Sequence, residues 1–204
     1  PATNYYFSLS LDKRTIINDF SVDFYSNNIK DMISTQYVNE IEEGVAIDEL
    51  HYQNYDKVKI NGINIHYSRK VTNRLNIKFV YNFTDGKSNS DEILEGISKH
   101  ALRLNFNYDI FNNFTVISNI KYGGKKFVFN QIRNTSKELS DYWISDLYFL
   151  STFKNLAIKV GFKNIFDYKD DTRLTDNYPE ILNNYDPGRR LFFELKFGIE
   201  GQEN

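Results

Sequence analysis

Apolar and polar residues alternate at period two from one end of this chain to the other, the signature of strands whose successive side chains point to opposite faces. Four segments show it most clearly. Leu75, Ile77, Phe79, Tyr81 and Phe83 share one face, opposed by Asn76, Lys78 and Asn82. Leu102, Leu104, Phe106, Tyr108 and Ile110 oppose Arg103, Asn105, Asn107 and Asp109. Leu156, Ile158, Val160 and Phe162 oppose Lys159, Gly161 and Lys163, while Leu191, Phe193, Leu195, Phe197 and Ile199 oppose Arg190, Glu194, Lys196 and Gly198. Looser alternation predicts further strands at about 4–12, 16–36, 52–70, 114–127 and 141–153, for about nine in all.

The apolar faces of the four clearest strands carry no charge, although charged residues make up 25% of the chain. Near a bilayer midplane a lipid-facing Arg or Lys costs roughly 2–4 kcal/mol, so this purity is what a membrane barrel demands. Most segments reach the roughly 9–11 residues that a tilted strand needs to cross a bilayer. Mean hydropathy is only −0.54, yet alternating strands never raise a windowed average.

The connections sort by length. Short ones are expected near Asp12–Thr15, Val71–Arg74, Phe111–Asn113 and Lys154–Asn155, and long polar ones near Tyr37–His51, Gly86–Ser98, Val128–Ser140 and Asp167–Gly188. Strict alternation of short and long connections fits a barrel with short inner turns and long outer loops. A soluble sandwich has no reason to sort its loops by side. Aromatic residues collect toward the strand ends: Phe111, Phe114 and Phe153 near the short turns, and Tyr81, Phe83, Tyr142 and Trp143 near the long loops. Two interfacial girdles would look like this, although aromatics favour any strand.

Composition excludes several chemistries. There is no cysteine among the 204 residues, hence neither a disulfide framework nor a thiolate metal site. A net charge of −2 gives no reason to expect nucleic acid. No phosphate-cradling glycine loop or nucleophile motif is present, and neither an enzymatic activity nor a bound cofactor is expected. The three histidines are too dispersed to form a metal centre. His66 shares parity with Asn64 and Ser68 on the polar face, His100 lies with Leu102 and Leu104 at the lipid-headgroup boundary, and His51 falls at a loop end near the mouth. The carboxylates Asp167, Asp170, Asp171 and Asp176 lack the glycine turn and terminal glutamate of a calcium loop, so they read as a solvated loop. The acidic stretch Glu40, Glu42, Glu43, Asp48 and Glu49 reads the same way.

Specific motifs sharpen the picture. Asn164-Ile165-Phe166-Asp167 ends a strand, and Asp186-Pro187-Gly188-Arg189 leads into the last alternating one. Phe24-Tyr25-Ser26-Asn27-Asn28-Ile29-Lys30-Asp31-Met32-Ile33, then Tyr55-Asp56-Lys57-Val58-Lys59-Ile60-Asn61-Gly62-Ile63, then Ile97-Ser98-Lys99-His100 precede them in that order. Together these resemble the end of the barrel of TonB-dependent outer-membrane receptors. Two departures stand out: Asn64 follows Gly62-Ile63 where the family usually has Glu, and Glu200 to Asn204 trail beyond a last strand that usually ends on an aromatic residue.

The resemblance implies a transmembrane antiparallel β-barrel, with this chain supplying about nine C-terminal strands of a 22-stranded plugged barrel. Residues 1–199 would be barrel wall and residues 200–204 a polar C-terminal tail. It implies the bacterial outer membrane and active uptake of a scarce nutrient, an iron–siderophore, haem or cobalamin. The implied partners are a separate or missing N-terminal plug and barrel half, the TonB complex acting through that plug, the barrel-insertion machinery, outer-membrane lipid and the small-molecule substrate. An open nine-strand sheet would leave two unpaired edges in lipid, so the wall has to be completed by further strands. Counting back from a descending last strand puts Pro1 on the outer side, which suggests a receptor interrupted at an outer loop.

Candidate ligand contacts at the outer loops and mouth are His51, Tyr52, Tyr178 and Arg103, with Tyr5 and Tyr6 as further aromatics near the entrance. Lys78, Asp109, Lys159, Lys163, Glu194 and Lys196 are expected to line the lumen together with Arg103. Arg190, Phe193 and Phe197 belong to the closing strand and its insertion signal. A passive channel would share these strands but conduct ions with no plug-bearing partner. A soluble β-rich binding module would have to bury its apolar faces against each other.

Overall fold

The computed structural model describes residues 2–42, 45–88, 96–130, 135–169 and 188–198, with side chains described outside 32–56 and 128–137. These residues form strands and turns, with no helix among them. In chain order the strands are β1 (Thr3–Arg14), β2 (Asn18–Glu42), β3 (Val45–Lys70), β4 (Leu75–Ser88), β5 (His100–Phe111), β6 (Phe114–Gly123), β7 (Lys126–Asn130), β8 (Thr135–Leu139), β9 (Tyr142–Phe153), β10 (Leu156–Lys163) and β11 (Arg190–Phe197). Nine of them make one sheet in the order β1-β2-β3-β4-β5-β6-β9-β10-β11, and β7 and β8 form a separate hairpin. Every pairing is antiparallel and joins neighbours along the chain, β6 and β9 being separated only by the β7–β8 hairpin, as in an up-and-down barrel wall. The sheet is open, with β1 and β11 at its two edges.

Register carries the alternation from strand to strand. Leu9 lies opposite Phe24, and Phe24 opposite Ile63. Ile63 faces Phe83, while along the next row Phe79 faces both Tyr67 and Leu104. Leu104 then meets Ile120, Val116 meets Phe149, Phe149 meets Val160, and Val160 meets Phe193. One apolar face therefore crosses all nine strands without a break. Among the described residues only Val58, Leu139 and Tyr148 are buried hydrophobics, whereas Phe7, Leu9, Phe111, Phe153, Phe193 and Phe197 stand exposed. A soluble sandwich hides such a face under a second sheet; here the only other described sheet is the two-stranded hairpin.

The inner turns are tight and locally built. Thr15 and Asn18 close the first, with the Thr15 amide donating to the Asn18 carbonyl at 2.7 Å and the Asn18 amide donating to the Thr15 hydroxyl at 3.0 Å. Thr72 accepts the amides of Arg74 and Leu75 at 3.1 and 3.0 Å, an ST-turn that needs a side-chain oxygen at that place. Lys154 enters the last with φ at 45°.

The outer connections differ from the expected loops in two places. The Tyr37–His51 segment is not a loop: β2 and β3 remain paired to Glu42 and Val45. These strands run 25 and 26 residues, about 80 Å at roughly 3.3 Å per residue, well beyond a bilayer. A polar ladder reads as loop because without a buried face no alternation is required of it. In Val128–Ser140, part of the expected loop is the β7–β8 hairpin, paired from Lys126 and Leu139 to Asn130 and Thr135. Its Phe127 carbonyl accepts the amide of Gly96 at 2.8 Å, tying it to the β4–β5 connection. Residues 89–95, most of the Asp167–Gly188 loop, and the 200–204 tail lie outside the described residues.

The girdles are partly as expected. Phe111 pairs with Phe114, and Phe114 stacks on Phe149 at 6.1 Å near the inner turns. At the outer end Trp143 meets Tyr122 at 4.6 Å, and His100 lies beside Phe83 at 5.3 Å. Tyr142 does not belong with them. It lies one position before Trp143, on the polar face, with its ring over Gly123.

Candidate functional site

The polar face gathers most of the residues singled out from the sequence. Arg103 lies opposite Val80 on β4 and Lys121 on β6, and Lys78 lies opposite Asn105 nearer the inner turns. Lys159 pairs with Glu194, Lys163 with Arg190, and Ala157 with Lys196. His66 is on this face opposite Ser21 and Val80, whereas His100 is on the apolar face, its Nδ1 2.8 Å from the Tyr81 hydroxyl. Among the described residues no three metal-ligating side chains converge.

Three glycines shape this face, each opposite an aromatic residue of a neighbouring strand. A Cβ on Gly62 would fall 2.1 Å from the Tyr25 ring, which crosses the glycine to place its hydroxyl 3.0 Å from Thr84 on β4. Tyr142 covers Gly123 in the same manner. Gly161 lies between Tyr148 and Phe192, whose rings meet edge to face at 5.3 Å. Such glycine–aromatic pairs let strands coil tightly while the ring restores cover over the backbone.

The cations sit against these rings. The Lys159 ammonium lies 4.3 Å from the Tyr148 centroid and 5.5 Å from that of Phe192. Lys163 is 4.9 Å from Phe192, and Lys121 5.4 Å from Tyr142. Each is within the distance at which a ring face attracts a cation. The carboxylates of the same strands are engaged elsewhere. Asp109 accepts the Thr115 hydroxyl at 2.7 Å, and Glu194 pairs with Lys196 at 3.0 Å. Asp146 accepts the Asn164 amide at 2.8 Å and the Tyr148 hydroxyl at 3.1 Å.

The middle of the face is a neutral amide belt. Asn82 donates to Asn64 at 2.7 Å, Asn107 to Asn105 at 3.0 Å, and Asn105 to Asn119.

A clasp closes the outer end of β10 and β11. The chain turns at Asn164 and Asp167 with φ at 51° and 55°, a region that Asn and Asp tolerate best after Gly. Asn164 is fully buried, and its side-chain amide both donates to the Tyr168 carbonyl at 2.8 Å and accepts the Tyr168 amide at 2.9 Å. Tyr168 in turn donates its hydroxyl to the Asp141 carbonyl at 3.1 Å. Across the long loop, Asp167 Oδ1 accepts the Arg189 amide at 2.8 Å. That bond needs Gly188, whose φ is 90° and whose Cβ would lie 2.6 Å from the Asp167 carboxylate. The Arg189 amide holds the Asp167 carboxyl below its usual pKa, with Lys169 adding to the effect. Asp167 is thus a structural acceptor rather than part of a loose acidic cluster; Asp170, Asp171 and Asp176 lie outside the described residues.

Other sequence candidates scatter. Tyr178 lies outside the described residues. His51 and Tyr52 are not at a loop end but within the β2–β3 ladder, opposite Gln36 and Thr35. Tyr5 and Tyr6 lie on the edge strand β1, with the Lys30 ammonium 5.8 Å from the Tyr5 ring. Phe193 and Phe197 are exposed on β11, opposite Val160 and Leu156, and the Gly198 amide extends the ladder to the Asn155 carbonyl. Sequence reasoning passed over Lys121, Tyr148 and Phe192, read Tyr142 as a girdle aromatic, and gave Asn164 no role of its own. Strand parity would have placed Lys121 beside Arg103 once the register was known, and Asn164 opens the quoted Asn-Ile-Phe-Asp motif.

The family model described as TonB dependent receptor-like, beta-barrel matches residues 1–165. The chain belongs to the TonB-dependent receptor β-barrel family. Solved structures agree on the fold. A siderophore receptor PirA from Acinetobacter baumannii superposes with a TM-score of 0.76 at 16% identity, over 98% of this chain and 32% of PirA. The copper transporter OprC gives 0.78 at 15%, over 98% and 31%. A mutant of the ferric enterobactin receptor PfeA from Pseudomonas aeruginosa gives 0.75 at 15%, over 97% and 31%. The chain thus spans about a third of each of these receptors. No curated protein sequence matches it significantly.

Proposed function

We propose that this chain forms part of the wall, the outer loops and the closing strand of a TonB-dependent transporter in the bacterial outer membrane. The transporter imports a scarce nutrient such as an iron–siderophore, haem or cobalamin. The observation that carries the reading is the two-faced sheet: an apolar face that crosses nine strands and carries no Asp, Glu, Lys or Arg on β5, β6, β9, β10 and β11, backed by a polar face of amides, cations and rings. Lipid accepts the first face, and a solute path or a plug needs the second. The open edges at β1 and β11 have to be paired where they meet lipid, which calls for further barrel strands. A plug on which TonB acts belongs to the same proposal, as does the absence of catalysis in this segment. Arg190, Phe193 and Phe197 serve the closing strand and its recognition by the insertion machinery.

The test is uptake by cells that carry the full-length protein containing this chain, offered radiolabelled ferric chelates, haem and cobalamin with and without a protonophore. Loss of uptake of one substrate on gene deletion, and equally on collapse of the proton gradient, is the expected result. Uptake that survives the protonophore identifies a passive channel and overturns the reading.

A further inference from the structure

We infer that the outward face of β2, β3 and β4 holds a phosphate-bearing lipid of the outer leaflet between facing lysines, Lys30 with Lys57 and Lys59 with Lys87. The site presupposes the outer-membrane placement proposed above and is independent of the solute transported. Register sets both pairs: Lys30 lies directly opposite Lys57, and Lys59 directly opposite Lys87. Parity puts all four on the face of Phe24, Ile63 and Phe83, turned away from the lumen. Burial agrees with parity. Lys57 and Lys59 are exposed while Val58 between them is buried, and Lys87 is exposed between buried Gly86 and Ser88. Lys99, just before β5, adds a further cation and meets Asp85 at 2.8 Å. Asp85 is the one carboxylate on this face of β1 to β5 among the residues whose side chains are described. Like charges directly opposite one another weaken a sheet. Two such pairs in neighbouring rows favour an anion from outside the chain, and the strands that flank them, β1 and β5, are both in place.

Position along the strands identifies the occupant as a lipid. The last apolar row runs through Leu9, Phe24, Ile63 and Phe83 to His100. Above it come Ser26, Asn61 and Asp85, then Asn28, Lys59 and Lys87, then Lys30 and Lys57. Lys87 therefore stands about 13 Å along the strand beyond Phe83, at roughly 3.3 Å per residue, where headgroups lie above the apolar band. A membrane lipid has the same profile. Its acyl chains meet Phe24, Ile63 and Phe83, its polar linkage meets Ser26 and Asn61, and its phosphate meets the lysines. Phosphate oxygens accept charge-assisted hydrogen bonds from ammonium groups on two strands at once, which turns each repulsive pair into a bridge. A soluble anion gains nothing from the apolar rows below. The patch is also local. At the outer ends of β6 and β9 the rings of Tyr122 and Trp143 meet at 4.6 Å, and neither strand carries a lysine on this face.

The test uses the full-length protein, extracted in mild detergent from its own outer membrane and stripped of lipid. Native mass spectrometry follows its retention of lipid A carrying its phosphates and of the same lipid with the phosphates removed. The phosphorylated lipid is expected to stay bound through repeated detergent washing, and the dephosphorylated one to wash away. Lys30→Gln combined with Lys59→Gln removes one member of each pair and should weaken retention roughly tenfold or more. Lys13→Gln with Lys70→Gln, the same loss of charge at the inner turns, should leave retention unchanged. Heat-modifiable migration verifies that each variant barrel is intact, and the comparison of the two lipids on the unaltered protein stands independently of any variant. Equal retention of the two lipids by the unaltered protein overturns the site. So does an intact Lys30→Gln, Lys59→Gln variant that holds the phosphorylated lipid as tightly. Displacement of that lipid by inorganic phosphate at matched phosphate concentration assigns the lysines to a free anion and overturns the lipid as occupant. A full-length protein absent from the outer-membrane fraction overturns the placement itself, a failure visible before any lipid is added.

Discussion

On one side of the sheet Phe79 faces Leu104, and Leu104 faces Ile120, with no side-chain hydrogen bond among these rows in the described residues. One position along each strand, Asn64 bonds Asn82, Tyr25 reaches over Gly62 to Thr84, and Asn105 bonds both Asn107 and Asn119. The first face asks only for hydrophobicity, because lipid adapts to whatever shape it meets. The second asks for particular partners, because each polar group taken out of water has to find one. The two faces therefore respond to substitution in opposite ways.

The largest effect separates them by a single charge. Leu104→Arg in the full-length protein places a guanidinium against lipid and should cost about 2–4 kcal/mol. Ile117→Arg, on the polar face opposite Asn107 and Tyr148, should be tolerated. Urea unfolding in lipid vesicles, read by heat-modifiable migration, measures both. Equal destabilisation would mean that the apolar face does not meet lipid.

Smaller, but more diagnostic, are the glycines. A Cβ on Gly161 would come 2.1 Å from the Leu147 carbonyl oxygen and 2.7 Å from the Tyr148 Cα. These are backbone atoms and cannot step aside. Gly161→Ala should therefore destabilise by about 1–3 kcal/mol, as overpacking does, and Tyr148→Ala should not relieve it. The three atoms nearest a Cβ on Gly62 all belong to the Tyr25 side chain, so Tyr25→Ala should restore the double variant relative to Gly62→Ala alone. The same unfolding assay reads the cycle, and additive losses at Gly62 and Tyr25 would refute the steric account.

How much of this was legible in the sequence divides along the same line. The apolar face was readable because lipid imposes a simple binary rule, and Leu75 to Phe83 obeys it at every position but Val80. The nine-strand count and the short inner turns followed from it. The β2–β3 ladder from Tyr37 to His51 was not legible, because strands that leave the membrane lose the pressure to alternate while keeping their backbone pairing. The β7–β8 hairpin was hidden for the same reason. On the polar face, parity assigned Arg103, Lys159 and Lys163 to one side. It said nothing about who touches whom, which depends on cross-strand register and on which glycines let rings lie flat. Tyr142 shows the limit: it reads as a girdle aromatic by position, and only its pairing with Gly123 turns it to the other face.

A weaker perturbation tests the amide belt. Asn64→Ala removes one acceptor from Asn82 and should cost about 0.5–1.5 kcal/mol, the usual net value of a partly buried hydrogen bond. The cost should vanish in the Asn64→Ala, Asn82→Ala pair if the two act as a unit. A lipid-face control such as Ile65→Val, in the neighbouring row, should cost no more than roughly 0.5–1.5 kcal/mol and show no coupling to Asn82.

The smallest expected effect lies at the clasp, where the polar face ends and the outer loop begins. Asp167 has its carboxyl pKa lowered chiefly by the Arg189 amide. A carboxylate whose folded-state pKa is depressed contributes stability that is fully present above its ordinary value, near 3.8, and lost as pH falls through the lowered one. Exchange of the Arg189 amide proton should therefore show constant protection, once corrected for its intrinsic rate, from neutral pH down to about pH 4, and lose it only in stronger acid. Asp167→Asn retains an acceptor oxygen without the charge, and should give weaker protection with no step in acid. Gly188→Ala should abolish protection at every pH, because a left-handed φ and a Cβ 2.6 Å from Asp167 both oppose the bond. Protection that fell already near neutral pH would point to a histidine instead, and the clasp would not be what holds the first residue pair of the closing strand in register.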